Sequence, residues 1–202
     1  MNVKLLTSSR SFQDMKNFAA LAALTCHDNI DKMNSKGYKP SDVLKNIINA
    51  GHESILEHIN LTFSVKGLSR ACLQELARHR HISLSVESTR HTLRKQTEYT
   101  LFFDNLTKEQ WRFAMDFVRF ADAHPDMPND ELKYYLPEFW PTNLILTCNI
   151  RELRHIIKLR TAPAALKEFQ DLAQKLFEAV PDEFKYLLED CVYKAENRWD
   201  TP

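Results

Sequence analysis

The stretch Arg78-His79-Arg80-His81-Ile82-Ser83-Leu84-Ser85-Val86-Glu87-Ser88-Thr89-Arg90 is the most informative in the chain. Gly67 breaks the chain upstream, and Leu68 to Arg80 then shows helical spacing, with Leu68, Ala71, Cys72, Leu76 and Ala77 near one face. From Ile82 the period changes. Ile82, Leu84 and Val86 alternate with Ser83, Ser85 and Glu87, which is the period of an extended strand. A helix is therefore expected to hand over to a strand, with Arg78, His79 and Arg80 at the junction. Cations crowd the last turn of many helices because they complement the dipole there. These have a functional reading as well. Two guanidiniums flanking an imidazole can hold a phosphate or an electron-rich ring. Ser88, Thr89 and Arg90 add short hydroxyls, backbone N–H groups and another fork for an anion.

Around this stretch the chain reads as mixed α/β. Val3 to Leu6 is a short strand candidate. Phe12 to Thr25 is helical, with Met15, Phe18, Ala19 and Ala22 along one side. Pro40 opens a second helix that runs to Ala50 and stops at Gly51. Ile59, Leu61, Phe63 and Val65 alternate with polar residues, as in a half-buried strand. Tyr99 to Phe103 is a further strand candidate, Trp111 to Ala123 a helix, and His124 to Asp130 a Pro-containing loop. Leu144 to Cys148 is a short apolar strand leading into a helix around Arg151. Leu166, Phe169, Leu172, Ala173, Leu176 and Phe177 form a helical apolar stripe suited to the core or a subunit contact. Pro181 ends that helix, and a last one is expected from about Glu183 to Lys194.

Composition sets bounds. A chain of 202 residues with 44% hydrophobic residues can bury a good core, most simply as one domain spanning 1–202. Formal net charge is zero, but Arg78 to Lys95 carries +4 and Asp104 to Trp140 carries −4. A local positive patch on a neutral protein suits a small anionic ligand better than nucleic acid or a membrane surface. Cys26, Cys72, Cys148 and Cys191 show no C-x-x-C pairing and read as reduced thiols of a cytoplasmic protein. The N-terminus has no long apolar run, so no signal peptide is expected. Nothing approaches the ~18 apolar residues of a membrane span.

Only three glycines occur, Gly37, Gly51 and Gly67, so there is no G-x-G-x-x-G or Walker loop. A bound dinucleotide would have to be gripped by side chains and helix ends. No metal site is expected. His52-Glu53 lacks the second His of H-E-x-x-H at Leu56, Glu57-His58 lacks the first His of H-x-x-E-H at Ser54, and His79 and His81 lie only two apart.

Arg-His-Arg, two residues, Ser, four residues, Ser, one residue and Arg is the signature pattern of flavin-dependent thymidylate synthases, and Arg78, His79, Arg80, Ser83, Ser88 and Arg90 fill its six fixed positions. Gly51 to His58 resembles the family's Gly-His-x-Ser/Thr-x-x-Glu-His stretch. Asn149 to Arg160 resembles its Asn-x-Arg-x-Leu-x-Asn/His-x-x-x-Leu-Arg stretch. The resemblance runs from about Gly51 to the C-terminus and implies a small sheet flanked by helices. It also implies an enzyme that moves a methylene group from 5,10-methylenetetrahydrofolate to C5 of dUMP and reduces the adduct with a flavin hydride. FAD would be the cofactor, NADPH its reductant, and a homotetramer with shared active sites the assembly. Uracil C5 becomes a nucleophile only as negative charge develops on the ring, which explains the need for cations.

Position by position, the resemblance implies flavin contacts from His52, Ser54, Arg78, His79, Arg80, Val86, Asn149, Arg151 and His155. Arg160 matches the arginine that stabilises the activated uracil. Val86, Glu87, Ser88, Thr89 and Arg90 match the loop around the dUMP phosphate, Arg78 lies near the nucleotide, and Lys133 falls where the family often has an arginine for dUMP. The pattern departs at Glu75, where many relatives have Gln for dUMP and where Gln74 is the neighbouring substitute, and at Ser85 and Val86. Two other classes stay open. One is a non-catalytic RNA-binding module using the basic segment with Tyr99 and Phe102. The other is a flavoprotein reductase without methyl transfer, against which Arg90 and Arg160 together speak.

Overall fold

A computed structural model describes residues 1–97 and 106–194. The expected strand at Tyr99 to Phe103, and with it Phe102, lies outside the described residues. Four strands, β1 (Asn2–Leu5), β2 (Asn60–Ser69), β3 (Ile82–Val86) and β4 (Pro141–Asn149), form one antiparallel sheet in the order β1-β2-β4-β3. Leu61 of β2 and Ile82 of β3 both pair with Cys148 of β4. The helices are α1 (Ser9–Thr25), α2 (Pro40–Asn49), α3 (Arg70–Leu76), α4 (Thr89–Thr97), α5 (Lys108–Ala123), α6 (Asn129–Leu132), α7 (Ile150–Arg160) and α8 (Lys167–Ala179).

The alternation in β2 and β4 works as its period demands. Leu61, Phe63 and Val65 face the same side as Leu144, Leu146 and Cys148, and all six are buried. They merge with Phe12 of α1, Leu153, Ile156 and Ile157 of α7, and Phe169, Leu172 and Leu176 of α8 into one core. A second core gathers Leu93, Ala114, Phe117, Ala121, Leu132 and Trp140. The Trp140 ring meets Phe117 edge-on at 5.0 Å, and the Arg70 and Ala71 amides bond the Trp140 and Glu138 carbonyls, tying the second core to α3.

Several expectations change. Gly67 does not break the chain. It sits inside β2 with φ +73° at a register shift between Lys66 and Leu68, so it is a bulge that needs a left-handed residue. The helix expected from Leu68 to Arg80 is only Arg70–Leu76, because Ser69 caps it by accepting from the Cys72 amide. Arg78, His79 and Arg80 lie in the turn between α3 and β3. The expected phosphate loop ends at Ser88, and α4 begins at Thr89. Part of the expected Pro-containing loop is α6. The last expected helix is instead two 3-10 turns, Asp182–Leu187 and Glu189–Cys191. On α1, Phe18 is 64% exposed while Lys16 is buried. The Lys16 ammonium lies 4.4 Å from the Phe184 ring centroid, so a cation–π contact replaces water.

Candidate functional site

Three segments far apart in sequence meet at α7. Its N-terminus is set by Asn149, whose side-chain oxygen accepts from the Glu152 amide at 2.8 Å. Arg151 pairs with Glu57 at 2.6 Å, and Arg154 pairs with Glu53 at 3.0 Å. These two ion pairs hold the 3-10 turn Glu53–His58 against the helix and leave His52 and Ser54 exposed beside it. Arg154 is buried and also donates to both Asp190 oxygens and to the Leu187 carbonyl, which fixes the C-terminal turns. A cleft of about 680 Å³ results, lined by Glu53, Glu57, His81, Asn149, Arg151 and His155, with Lys158 at its wall.

The Arg-His-Arg turn enters from the other side. His79 is buried, and its Nδ1 lies 2.9 Å from Glu152 Oε1. Arg160, the last residue of α7, donates from Nε to His79 Nε2 at 3.1 Å and from Nη1 to Glu75 at 3.2 Å. Its guanidinium lies 4.6 Å from the Phe169 ring centroid. Glu75 also pairs with Arg78 at 3.4 Å, while Arg78 and Arg80 are exposed. Gln74 is turned elsewhere and donates to Glu138. Burial lowers the His79 pKa. The hydrogen bond to Glu152 resists this, and the charge of Arg160 reinforces it.

A second group stands at the far end of β3, about 15 Å along the strand. The Glu87 amide bonds the Asn143 carbonyl at 2.8 Å, and the Asn143 side chain donates to Glu87 at 2.7 Å. Val86 and Ser88 are exposed. Thr89 opens α4, and the Ser88 carbonyl accepts from the His91 and Thr92 amides. Arg90 pairs with Asp130 at 3.0 Å and Lys133 with the same carboxylate at 3.3 Å, so the cation expected at the phosphate and the one expected at dUMP lie on one carboxylate. Desolvation opposes the shift, but the hydrogen bond from Lys133 and the charge of Arg90 hold the Asp130 pKa below the usual carboxylate value.

Some groups were missed by reading the sequence. Glu152 and Asp130 carry no motif signal of their own, and only the fold sets them opposite His79 and the Arg90–Lys133 pair, while Glu57 fills the fixed Glu of the Gly51–His58 stretch but had no role assigned to it. The fold also brings ligand atoms of His79, Glu152 and His155 within 4.8 Å of one another, a grouping invisible to sequence spacing. Both ring nitrogens of His79 are already engaged by Glu152 and Arg160, so a metal ion would have to displace one of them. Cys72, Cys148 and Cys191 are unsuited to nucleophilic chemistry, since burial pushes their thiols up to about 12. Among the described residues no helix is long and apolar enough to cross a membrane.

Residues 5–184 match the family model described as "Thymidylate synthase complementing protein". A flavin-dependent thymidylate synthase from Helicobacter pylori is 37% identical over 193 residues, covering 86% of this chain and 93% of that protein. One from Campylobacter jejuni is 39% identical over 188 residues, covering 86% and 91%. The crystal structure of the Helicobacter pylori flavin-dependent thymidylate synthase complexed with FAD and dUMP superposes with a TM-score of 0.82 at 33% identity, covering 96% of this chain and 100% of that one. A UMP/dUMP methylase from Streptomyces cacaoi, at 19% identity and TM-score 0.67, shares the fold. The chain belongs to the family of flavin-dependent thymidylate synthases, enzymes of the methyltransferase type.

Proposed function

We propose that residues 1–202 act as one catalytic domain that binds FAD and dUMP and converts dUMP to dTMP, with 5,10-methylenetetrahydrofolate as carbon donor and NADPH as the source of reducing equivalents. The observation that carries this reading is the convergence on α7 of the turn Glu53–His58, the Arg78–Arg80 turn and Arg160. The residues fit a flavin. The cleft of about 680 Å³ is lined by Asn149, Arg151, His155 and Lys158 together with the carboxylates Glu53, Glu57, Glu152 and Asp190. His52, Ser54 and the Arg78–Arg80 turn do not line it and are assigned to the flavin by the family resemblance alone, and no glycine loop is needed. Reduced FAD supplies the hydride when bound.

The chain's own groups do the rest. Arg160 is held from several sides and is assigned to the negative charge that develops on the uracil ring, where a preorganised cation lowers the barrier. Glu75, and not Gln74, is the side chain beside Arg160 and Arg78, so it is assigned to the substrate ring. Ser88, the α4 start at Thr89, Arg90 and Lys133 are assigned to the phosphate, with Val86 and Glu87 as the strand end that carries them. Phosphate would compete with Asp130 for Arg90 and Lys133. We assign the protein to the cytoplasm, with three of its four cysteines buried and all four free. The test is the absorbance spectrum of the purified protein with and without dUMP, followed by tritium release from C5-labelled dUMP. A flavin spectrum perturbed by dUMP and folate-dependent tritium release are expected. A protein that cannot be reconstituted with FAD refutes the reading, as does one that releases no tritium.

A further inference from the structure

Glu152 is a buried carboxylate with no part in the assignments above, and the hydrogen bonds around it give it one. An arginine Nε–H can only donate, so the 3.1 Å contact from Arg160 requires a lone pair on His79 Nε2. A neutral His79 must then carry its proton on Nδ1, and Glu152 Oε1 lies 2.9 Å away to accept it. The other tautomer would set two N–H groups against each other at Arg160 and two lone pairs against each other at Glu152. The imidazolium would keep the bond to Glu152 and lose the one to Arg160. The His79 and Glu152 side chains are only 3% and 9% exposed, so water is a poor replacement for either partner. Glu152 is itself fixed in the first turn of α7 by the Asn149 cap. Arg160 ends the same helix, about 12 Å further on. His79 bridges the two.

We propose that Glu152 is a positioning residue: its carboxylate fixes the Nδ1–H tautomer of His79, whose Nε2 then orients the Arg160 guanidinium toward the substrate ring. This rests on the assignment of Arg160 to the uracil. His79 addresses Nε, Glu75 addresses Nη1 and the Phe169 ring covers one face, so the orientation is set from three directions. The downward shift of the His79 pKa agrees with a neutral ring.

The experiment is 15N NMR of the histidine-labelled holoenzyme, with His79 assigned through His79→Gln, alongside steady-state dTMP formation. Wild type should show a neutral Nδ1–H His79. Glu152→Gln keeps an acceptor oxygen and should keep the tautomer, with kcat within about threefold of wild type, because one neutral acceptor replaces a charged one. Glu152→Leu leaves the Nδ1 proton without an acceptor while Arg160 still favours it, so His79 should show a mixture with Nε2–H in place of one tautomer. Its kcat should fall roughly tenfold to hundredfold, with FAD content and KM for dUMP near wild type, as expected when a reacting group is misaimed. Three results overturn the proposal: an Nε2–H or doubly protonated His79 in wild type, an unchanged tautomer in Glu152→Leu, or a Glu152→Gln variant as impaired as Glu152→Leu. If Glu152→Leu does not fold, the wild-type tautomer and Glu152→Gln decide the matter. Absence of dTMP formation by wild type overturns the functional reading itself, whereas the nitrogen shifts separately decide whether Glu152 sets the tautomer.

Discussion

Arg160 and Arg90 are both arginines with carboxylate partners, yet their settings predict different failures. Arg160 is half-buried and contacts Glu75, His79 and Phe169. Arg160→Ala is expected to lower dTMP formation by about a hundredfold to a thousandfold, the usual cost of removing one group that stabilises developing charge. FAD should stay bound, which absorbance after gel filtration reads directly. Loss of the flavin with Arg160→Ala would move this residue to the cofactor. Arg90 is exposed and shares Asp130 with Lys133. Deoxyuridine should be a poor substrate beside dUMP, because a charge-assisted contact is worth about 1.5–3 kcal/mol, roughly tenfold to hundredfold. Arg90→Ala should shrink that preference. Equal loss on both substrates would show that Arg90 does not read the phosphate. His79 gives a pH prediction. Its folded pKa lies below the ordinary 6.5, through burial first, against the opposing bond to Glu152 and with the charges of Arg160 and His155. Between the folded pKa and 6.5 the unfolded chain therefore binds the extra proton, and stability rises with pH. The contribution is present above 6.5 and is lost as the medium is acidified toward the folded pKa. Denaturant unfolding between pH 7 and pH 5 should show a shallower loss for His79→Gln than for wild type. Parallel curves would remove His79 from the acid response.

At the scale of elements, the assembly of the cleft depends on Arg154. Its side chain is 5% exposed and meets Glu53 from one element and Asp190 and Leu187 from the C-terminal turns. Arg154→Ala should cost about 1–3 kcal/mol, because it leaves the buried Leu187 carbonyl unpaired while the Glu53 and Asp190 carboxylates, 35% and 50% exposed, can turn to water. Arg154→Lys should not restore this, since an ammonium cannot span both Asp190 oxygens. Thermal or urea unfolding checks the magnitude, and a change under about 1 kcal/mol would place Arg154 among ordinary surface pairs. This element network explains what could be read in advance. The strands β2, β3 and β4 were legible because alternating apolar residues announce a sheet with one buried face. Motif spacing singled out Arg78, His79, Arg80, Asn149, Arg151 and Arg160 as candidates, but the turn that carries the first three reads in sequence as helix. Arg154 and Lys16 were not, because a charged residue gives no signal of burial until its partners are in place. Glu152 meets His79 across 73 residues of chain, a pairing no local window can see. The Gly67 bulge reads in sequence as a break, since a glycine with positive φ serves both. The C-terminal 3-10 turns keep the apolar spacing of a helix, with Phe184, Leu187 and Leu188 buried, yet the Leu187 carbonyl is taken by Arg154.

At the scale of the whole molecule, several aromatic residues stand exposed on the described surface. Tyr134 is 82% exposed, Phe113 65%, Tyr135 57% and Trp111 49%. Exposed aromatic side chains mark a contact with another molecule where they adjoin in one patch. The cleft is also open. His52, Ser54, Arg80, Arg151 and His155 all reach solvent, so a flavin laid on them by one subunit would keep a wet face. A hydride donor needs water excluded from the reacting face. Both features are met if further copies of the chain close the cleft, which is the homotetramer that the family resemblance implies. The protein should purify yellow, with a light-scattering mass near four times the 23.6 kDa subunit. Phe113→Glu and Tyr134→Glu together should lower that mass, since burying two carboxylates in an aromatic contact is costly. Flavin should leave with the assembly. A variant that becomes monomeric yet keeps its FAD and its activity would show that one chain builds the site alone. A wild type that is monomeric and yellow would show the same without any substitution.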